Sequence, residues 1–177
     1  MSTLSNLPAT ISLIGMPGVG KSTVGVLLAK LIGLHFRDTD IDIQVATGTT
    51  LQDIIDNQGH LKLREIEQQV LLSTPLDDSI ISTGGSVVYS DTAMQRLRQA
   101  GPVVYLQADF EILRARVEAT PGRGIAAATD QSFLDVFNER TPLYQYYADH
   151  TIVTTDKTPD QVAATIITHL QGKLPRH

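Results

Sequence analysis

Residues 11–33 read ISLIGMPGVGKSTVGVLLAKLIG, and the architecture of the chain can be worked out from this stretch. Residues 15–22 match the pattern G-x-x-x-x-G-K-[ST] between an apolar strand-like run and a helical pattern, the context that a phosphate-binding loop requires. Glycines let backbone N–H groups face phosphates, and the start of the helix adds its positive end. Lys21 can then reach the β- and γ-phosphates, while the Ser22 hydroxyl can ligate Mg²⁺. The stretch predicts a nucleotide site and leaves open whether water or a second substrate receives the phosphoryl group.

Composition limits the class of protein. The chain has 177 residues, of which 42% are hydrophobic, so we expect a single domain covering residues 1–177. A formal net charge of −5 argues against a protein that mainly binds nucleic acid or an anionic membrane. Because the chain has no cysteine, disulfides, thiolate metal sites and a cysteine nucleophile are excluded. With no basic leader and no membrane-spanning apolar run, we expect a soluble, cytoplasmic protein, and we further expect a monomer.

Apolar runs alternate with helical patterns along the whole chain. The strand-like runs are TISLIG, LHFRDTD, SIISTGG, PVVYLQA and HTIVTT. Helical periodicity covers residues 22–32, 61–72, 92–100, 109–117, 131–147 and 159–170. Strands separated by helices predict an α/β fold with a parallel sheet covered on both faces.

The segment EATPGRGIAAATDQ, residues 118–131, stands apart because almost none of its side chains is bulky. Such a segment cannot anchor itself in a core, and a loop of this length in a compact domain is usually functional. We expect a mobile lid at approximately residues 117–130.

Two acids bear on the choice between hydrolase and kinase. The strand-like run DSIISTGG ends without the acid that hydrolysing phosphate-loop proteins commonly place there. Asp38 and Asp40 instead follow LHFR, and in an extended backbone both would point to one face at the carboxyl end of a strand. Asp38 could help to hold Mg²⁺ through water while Asp40 accepts the proton of an attacking hydroxyl. The alternative is that both acids cap a helix in IDIQVATG, and the residues alone leave the two readings about even.

Three further signals are weak separately. GHLKLREIEQQVLL places Arg64 and Glu67 together on one helical face, STGGSVV offers two glycines after a strand, and NERTPLYQYYA contains Arg140. An exposed Arg–Glu pair at that spacing contributes only about 0.2–0.5 kcal/mol. Each signal is also typical of an ordinary surface helix or turn.

The order of these motifs resembles that of the shikimate kinase family over nearly the whole chain. The resemblance rests on the phosphate loop, Asp-x-Asp, Leu-x-Leu-Arg-x-x-Glu, Thr-Gly-Gly, a small-residue lid with an arginine, and Glu-Arg-x-Pro-Leu-Tyr. It implies a three-layer α/β/α phosphate-loop kinase fold with a five-stranded parallel sheet. It also implies Mg-dependent transfer of the ATP γ-phosphoryl group to the 3-hydroxyl of shikimate, so that ATP, Mg²⁺ and a small carboxylated ring are the expected ligands.

The resemblance also implies roles for individual residues, with Lys21, Asp40 and Arg123 as the catalytic group and Ser22 and Asp38 at the metal. The residues implied to bind shikimate are Asp40, Arg64, Gly84, Gly85 and Arg140, with Glu67 holding Arg64 in place. The residues implied to bind ATP are Gly18, Val19, Gly20, Lys21, Ser22, Thr23, Arg116, Arg123, Lys157 and Pro159. Among these, Arg116 would pack on adenine, the loop with Lys157 and Pro159 would close its other side, and the lid arginine Arg123 would reach the phosphates.

The chain departs from the family pattern at two places that concern the substrate. Ser86 follows Gly84 and Gly85 where the family usually has a third glycine, and residues 123–126 read Arg-Gly-Ile-Ala where it has Arg-Pro-Leu-Leu. A kinase for another hydroxylated acid is therefore an alternative. A nucleotide-binding module that acts through a partner is a second alternative, and Lys21, Asp40 and Arg123 argue against it.

Overall fold

The computed structural model describes residues 7–120, 125–128 and 130–172, and its centre is a five-stranded parallel sheet. The strand order is β2-β3-β1-β4-β5, with every neighbouring pair parallel. The strands are β1 Ile11–Ile14, β2 His35–Asp38, β3 Ser79–Ser82, β4 Val103–Gln107 and β5 His150–Val153. All five predicted strands are confirmed.

Helices connect the strands. They are α1 Lys21–Ile32, α2 Thr39–Thr47, α3 Leu51–Gln58, α4 His60–Ser73, α5 Asp91–Ala100, α6 Phe110–Glu118, α7 Phe133–Tyr147 and α8 Pro159–Gly172, with a 3-10 turn at Val87–Tyr89. The path from β1 to β2 runs in one direction across the sheet, and the path from β3 to β5 runs in the other. Because parallel crossovers are right-handed, the connecting helices lie on opposite faces and form the expected three layers. None of the helices in the described ranges is long and apolar enough to cross a bilayer.

Burial of the sheet follows from its sequence. The β1 and β3 strands are buried at every position, and β4 is buried at four of five, so burial along these strands is continuous rather than alternating. Strand β1 lies in the middle, pairing with β3 on one side and β4 on the other. The direction of chain progression reverses at β1, and open α/β sheets bind ligands at the carboxyl ends of the strands at such a point. The loops after β1, β2 and β3 therefore meet at one crevice.

One local expectation was wrong. Asp38 and Asp40 do not share one extended face, because the backbone turns helical at Thr39 and opens α2. Asp38 is the N-cap of this helix, and its side chain accepts a hydrogen bond from the Asp40 N–H at 3.0 Å. An acid that satisfies a free N–H at a helix start stabilises the helix, so the capping interpretation is correct for Asp38. Asp40 lies two residues further along, in the first turn of α2.

Helices α2 and α3 were absent from the helical patterns predicted between residues 22 and 170. Helix α3 begins with a capping box, in which the Thr50 hydroxyl accepts a hydrogen bond from the Asp53 N–H and the Asp53 carboxylate accepts one from the Thr50 N–H. Both helices are short, and α2 buries only Thr39 and Ile43, so the apolar periodicity of α2 is weak. Capping residues rather than periodicity identify them.

Candidate active site

The loop after β1 forms a cradle for phosphates. Gly15, Gly18 and Gly20 all have positive φ angles, of 145°, 86° and 101°. A Cβ on Gly15 would lie 2.6 Å from the carbonyl oxygen of Leu106, so only glycine fits there. Helix α1 begins at Lys21 with Gly20 as its N-cap, and no described side chain caps it. Its first N–H groups are therefore available to an anion.

The Lys21 side chain lies across this cradle. Its ammonium donates to the carbonyl oxygens of Gly15 at 2.7 Å and Met16 at 3.1 Å, and the residue is only 8% exposed. A buried ammonium group at the mouth of a phosphate loop provides the positive charge that a polyphosphate needs. Lys21 therefore lies at the phosphate loop, and its role in binding phosphates stays a prediction.

Ser22 and Asp38 come together at the end of β2. The Ser22 hydroxyl donates to Asp38 Oδ2 at 2.5 Å and lies 3.3 Å from the Ser82 hydroxyl. Asp38 Oδ1 meanwhile accepts the cap hydrogen bond from Asp40. Hydroxyl and carboxylate oxygens are the ligands that Mg²⁺ prefers, so these two residues fit the cation. In the described part of the chain no group of three acidic or histidine side chains is gathered for a metal, which suits a cation held mainly by nucleotide phosphates and water.

Two arginines converge on a single oxygen atom. Arg64 Nη2 donates to the carbonyl oxygen of Ala126 at 3.1 Å, and Arg140 Nη2 donates to the same oxygen at 2.6 Å. The Arg64 guanidinium lies 3.7 Å from the centroid of the Tyr89 ring, and Arg140 Nε donates to the Tyr89 hydroxyl at 3.4 Å. Arg140 is 1% exposed. The pair forms a rigid cationic clamp, already shaped around one acceptor oxygen.

Glu67 lies beside this clamp and is almost fully buried, at 8% exposure. Burial raises its pKa to about 8, with a further increase from the charge of Asp40, while Arg140, Arg64 and Lys21 oppose the shift. Its Oε2 accepts a hydrogen bond from the Ser86 hydroxyl. The role inferred for Glu67, that it holds Arg64, is not what the geometry shows, because Arg64 is held by Tyr89 and Ala126.

The glycine loop after β3, which contains Gly84 and Gly85, forms one wall of the crevice. The Gly84 N–H donates to the Thr39 hydroxyl at 2.9 Å, and the Tyr144 hydroxyl donates to the Gly85 carbonyl at 2.5 Å. A Cβ on Gly84 would collide with the Glu67 carboxylate, and one on Gly85 would lie 3.1 Å from the Arg140 guanidinium. Both positions need glycine because charged side chains pack directly against the backbone.

Two adjoining cavities divide the site. The first, of about 40 Å³, is enclosed by Lys21, Asp40, Glu67 and Arg140, with Ile125 and Ala126 over it. That space holds only a few water molecules. The second, of about 420 Å³, is lined by Thr23, Arg116, Lys157 and Pro159, among others. Both cavities contact Gly18 and Gly20, so they meet at the phosphate loop.

The structure brings most of the predicted site residues to these two cavities. Those around the larger cavity are Gly18, Val19, Gly20, Thr23, Arg116, Lys157 and Pro159. Those around the smaller cavity, or in contact with its walls, are Lys21, Ser22, Asp38, Asp40, Arg64, Gly84, Gly85 and Arg140. Arg123 lies outside the described residues. The predicted lid, residues 117–130, is described at 117–120, 125–128 and 130, of which Ile125 and Ala126 reach the smaller cavity.

Sequence reasoning missed two contributors to the site. Tyr89 stacks on one arginine and contacts the other, and Ala126 supplies a main-chain carbonyl. Ser86, which the sequence already marks as a departure from the family pattern, contacts Glu67. Tyr89 follows the glycine loop by only a few residues, so its proximity to that loop was a usable signal. A backbone carbonyl has no side-chain signature, and no pattern in the sequence could have indicated it.

Comparison with known proteins places this geometry in a family. The sequence profile described as "Shikimate kinase" matches residues 17–171. The shikimate kinase of Thermodesulfovibrio yellowstonii is 36% identical over 160 residues, which cover 89% of this chain and 92% of that protein. The structure of shikimate kinase from Acinetobacter baumannii in complex with shikimate has a TM-score of 0.82 and 31% identity, covering 97% of this chain and 98% of that one. The chain therefore belongs to the shikimate kinase family.

Proposed function

We propose that this protein transfers the γ-phosphoryl group of ATP to the 3-hydroxyl of shikimate with the help of Mg²⁺. The observation that carries the proposal is the convergence of Arg64 and Arg140 on one oxygen, within a cavity that Asp40 and Lys21 also line. Paired guanidinium groups recognise a carboxylate, and a lysine beside a phosphate loop recognises a polyphosphate. The acceptor is therefore expected to be a small molecule that carries both a carboxylate and a hydroxyl.

The larger cavity suits the nucleoside of ATP. Arg116 lies at its wall, with one guanidinium nitrogen donating to the Gly18 carbonyl oxygen at 3.2 Å. A planar cation held in that way can stack on an aromatic base. Lys157 and Pro159 form part of the other wall, in agreement with the roles that the family resemblance implies for them.

Ser22 and Asp38 would hold Mg²⁺, the Ser22 hydroxyl directly and the Asp38 carboxylate through water. When bound, the cation would neutralise part of the charge that develops on the transferring phosphoryl group. The present hydrogen bond between the two residues occupies the oxygens that the cation would take over.

Asp40 is the residue to receive the proton of the attacking hydroxyl. In the transfer, the substrate oxygen forms a bond to the γ-phosphorus, the bond from that phosphorus to the bridging oxygen breaks, and ADP leaves. The hydroxyl proton passes to the Asp40 carboxylate. Lys21 stabilises the charge on the phosphoryl oxygens, because a loose transition state depends on alignment and positive charge.

The carbonyl of Ala126 occupies the clamp position that a substrate carboxylate requires. A carboxylate carries a full negative charge, and charge-assisted hydrogen bonds are roughly twice as strong as neutral ones. Shikimate would therefore displace the carbonyl, and residues 125–126 would move as it enters. We also propose that Arg123, on the same segment, reaches the ATP phosphates.

The proposal extends to the protein as a whole. We propose a single domain over residues 1–177 that acts as a monomer, since the residues of this chain line both cavities of the site. The net charge of −5 supports a protein that binds neither nucleic acid nor membranes, working in the cytoplasm.

The proposal is tested by coupled ADP release from the purified protein with shikimate, quinate, gluconate and no acceptor. Strong dependence on shikimate is expected, because the clamp and Asp40 require a hydroxylated acid and the chain belongs to the shikimate kinase family. Faster turnover of another acid would instead favour the alternative substrate class, for which Ser86 and the Arg-Gly-Ile-Ala lid sequence are the motivating departures. Equal ADP release without any acceptor would contradict both.

The arginine clamp predicts a loss of shikimate binding when either arginine is removed. Arg64→Ala and Arg140→Ala should each raise the KM for shikimate by about tenfold to a hundredfold, since hydrogen bonds to charged groups contribute about 1.5–3 kcal/mol. Affinity for ATP should change little, because neither guanidinium faces the larger cavity. Steady-state kinetics checks this, with the methyl ester of shikimate as the matched substrate control. An ester that reacts as well as the acid would rule out the clamp.

Asp40→Asn should lower kcat by about 10²- to 10⁴-fold, because a neutral amide cannot accept the hydroxyl proton. ATP binding should be preserved. Asp38→Asn is the matched control: it keeps an acceptor for the helix cap and should mainly raise the Mg²⁺ concentration needed for activity. Rapid-quench measurement of the phosphoryl transfer step distinguishes the two variants. An Asp40→Asn enzyme with the full rate would return Asp40 to a structural role.

Shikimate binding should weaken as pH rises above about 8. Glu67 titrates near that pH, and a substrate carboxylate on the neighbouring arginines raises its pKa further, so binding takes up a proton. Affinity is then flat below pH 8, where Glu67 is protonated in both states, and falls above it. Isothermal titration calorimetry in buffers of different ionisation enthalpy measures the proton uptake. The same dependence in Glu67→Gln would assign it to a different group.

A further inference from the structure

Ser86 places a hydroxyl group in contact with a buried acid of the site. The residue is 3% exposed, and its hydroxyl donates to Glu67 Oε2. Its backbone has φ −94° and ψ 0°, a conformation open to residues other than glycine. The serine is thus compatible with the backbone, and what distinguishes this position is the hydroxyl.

The Glu67 carboxylate is confined on two sides. One oxygen lies against the Cα of Gly84, where no Cβ fits, and the other accepts from Ser86. The Ser86 contact therefore fixes the rotation of the carboxylate about its last side-chain bond. Gly84 and Ser86 together restrict the position of the Glu67 carboxylate.

The charges that surround Glu67 come from four helices. Lys21 on α1, Arg64 on α4 and Arg140 on α7 attract its ionised form, whereas Asp40 on α2 repels it. A carboxylate free to rotate would move towards these cations and occupy the guanidinium donors. A substrate carboxylate would have to bind the same guanidinium donors, so the two carboxylates would compete.

We propose that Ser86 is a positioning residue that holds the Glu67 carboxylate away from the two arginines and so keeps the clamp available to the substrate carboxylate. This inference rests on the proposed function, because it concerns how the clamp selects its acid. Ser86 lines the smaller cavity, but its hydroxyl donates to Glu67 Oε2, so we assign its action to Glu67. Its effect is therefore on the affinity for shikimate rather than on phosphoryl transfer.

The test is a double-mutant cycle that compares the unmodified protein with Ser86→Ala, Glu67→Gln and the combination of both. Ser86→Ala should raise the KM for shikimate by about threefold to tenfold, as expected for one lost hydrogen bond, with kcat and the KM for ATP within about twofold. Adding Ser86→Ala to Glu67→Gln should raise this KM no further, since no charged carboxylate remains to be held. Ser86→Gly should match Ser86→Ala, and Ser86→Thr, which restores a hydroxyl, should reverse the loss.

The pH dependence of the KM for shikimate distinguishes loss of Glu67 positioning from a change in packing around Ser86. Without the Ser86 contact the carboxylate would pair with the arginines, which lowers the pKa of Glu67, so the alkaline rise in the KM for shikimate should begin at a lower pH in Ser86→Ala. A change in packing alone would leave that onset in place. Thermal unfolding of each variant serves as the folding control, and Ser86→Gly provides a second variant if Ser86→Ala does not fold.

Three results would overturn the inference: effects of Ser86→Ala and Glu67→Gln that multiply, equal increases in the KM for shikimate and for ATP, or an unchanged alkaline onset. Failure of the proposed function gives a different result, because the unmodified protein would then release no ADP in response to shikimate. If turnover depends strongly on shikimate but the effects of Ser86→Ala and Glu67→Gln on the KM multiply, the proposed function stands and only the inference about Ser86 is rejected.

Discussion

Burial of charge is the constraint on which the arrangement of this molecule depends. Lys21, Asp38, Glu67 and Arg140 are between 1% and 9% exposed, although each carries a group that water would otherwise solvate. Removing an ion from water costs several kcal/mol unless partners replace the lost hydrogen bonds. In this protein the partners come from different elements, so the loops after β1, β2 and β3 must meet for any of the four to be tolerated. The parallel sheet, with β1 at its centre, provides that meeting point.

Each buried charge is compensated in a different way, and the differences correspond to what each group can do. Lys21 is held by main-chain carbonyls that a polyphosphate can replace, whereas Asp38 is held by a helix N-terminus and a hydroxyl. Arg140 is held by Ala126 and Tyr89. Glu67 has the least compensation, and its raised pKa expresses this directly, because protonation removes a charge that the fold does not fully neutralise. Glu67, the least compensated of the four charged groups, lines the smaller cavity.

The sequence was informative where short-range rules apply. The phosphate loop, the five strands and the six longer helices follow from apolar runs, periodicity and glycine spacing, and they agree with the structure to within two residues at most ends. Helix α2 was left as one of two alternatives, because the residues alone do not show whether the Asp38 cap outweighs the extended preference of the preceding strand. The site residues came from motif order. Contacts such as that between Arg64 and Tyr89 were not predictable, since they join residues on separate elements whose relative placement depends on the whole sheet.

The carbonyl of Ala126 explains how a buried Arg140 and a half-buried Arg64 can lie side by side. Two guanidinium groups near one another repel, and without an acceptor both would lose their hydrogen bonds to water on burial. A neutral carbonyl satisfies one donor on each arginine while adding no net charge, so it preserves the positive potential that attracts an acid. Because this acceptor is neutral and belongs to the predicted lid segment, a carboxylate can outcompete it. Under the proposed function, displacement of this carbonyl by the substrate carboxylate would couple substrate entry to movement of the predicted lid segment, which also contains Arg123.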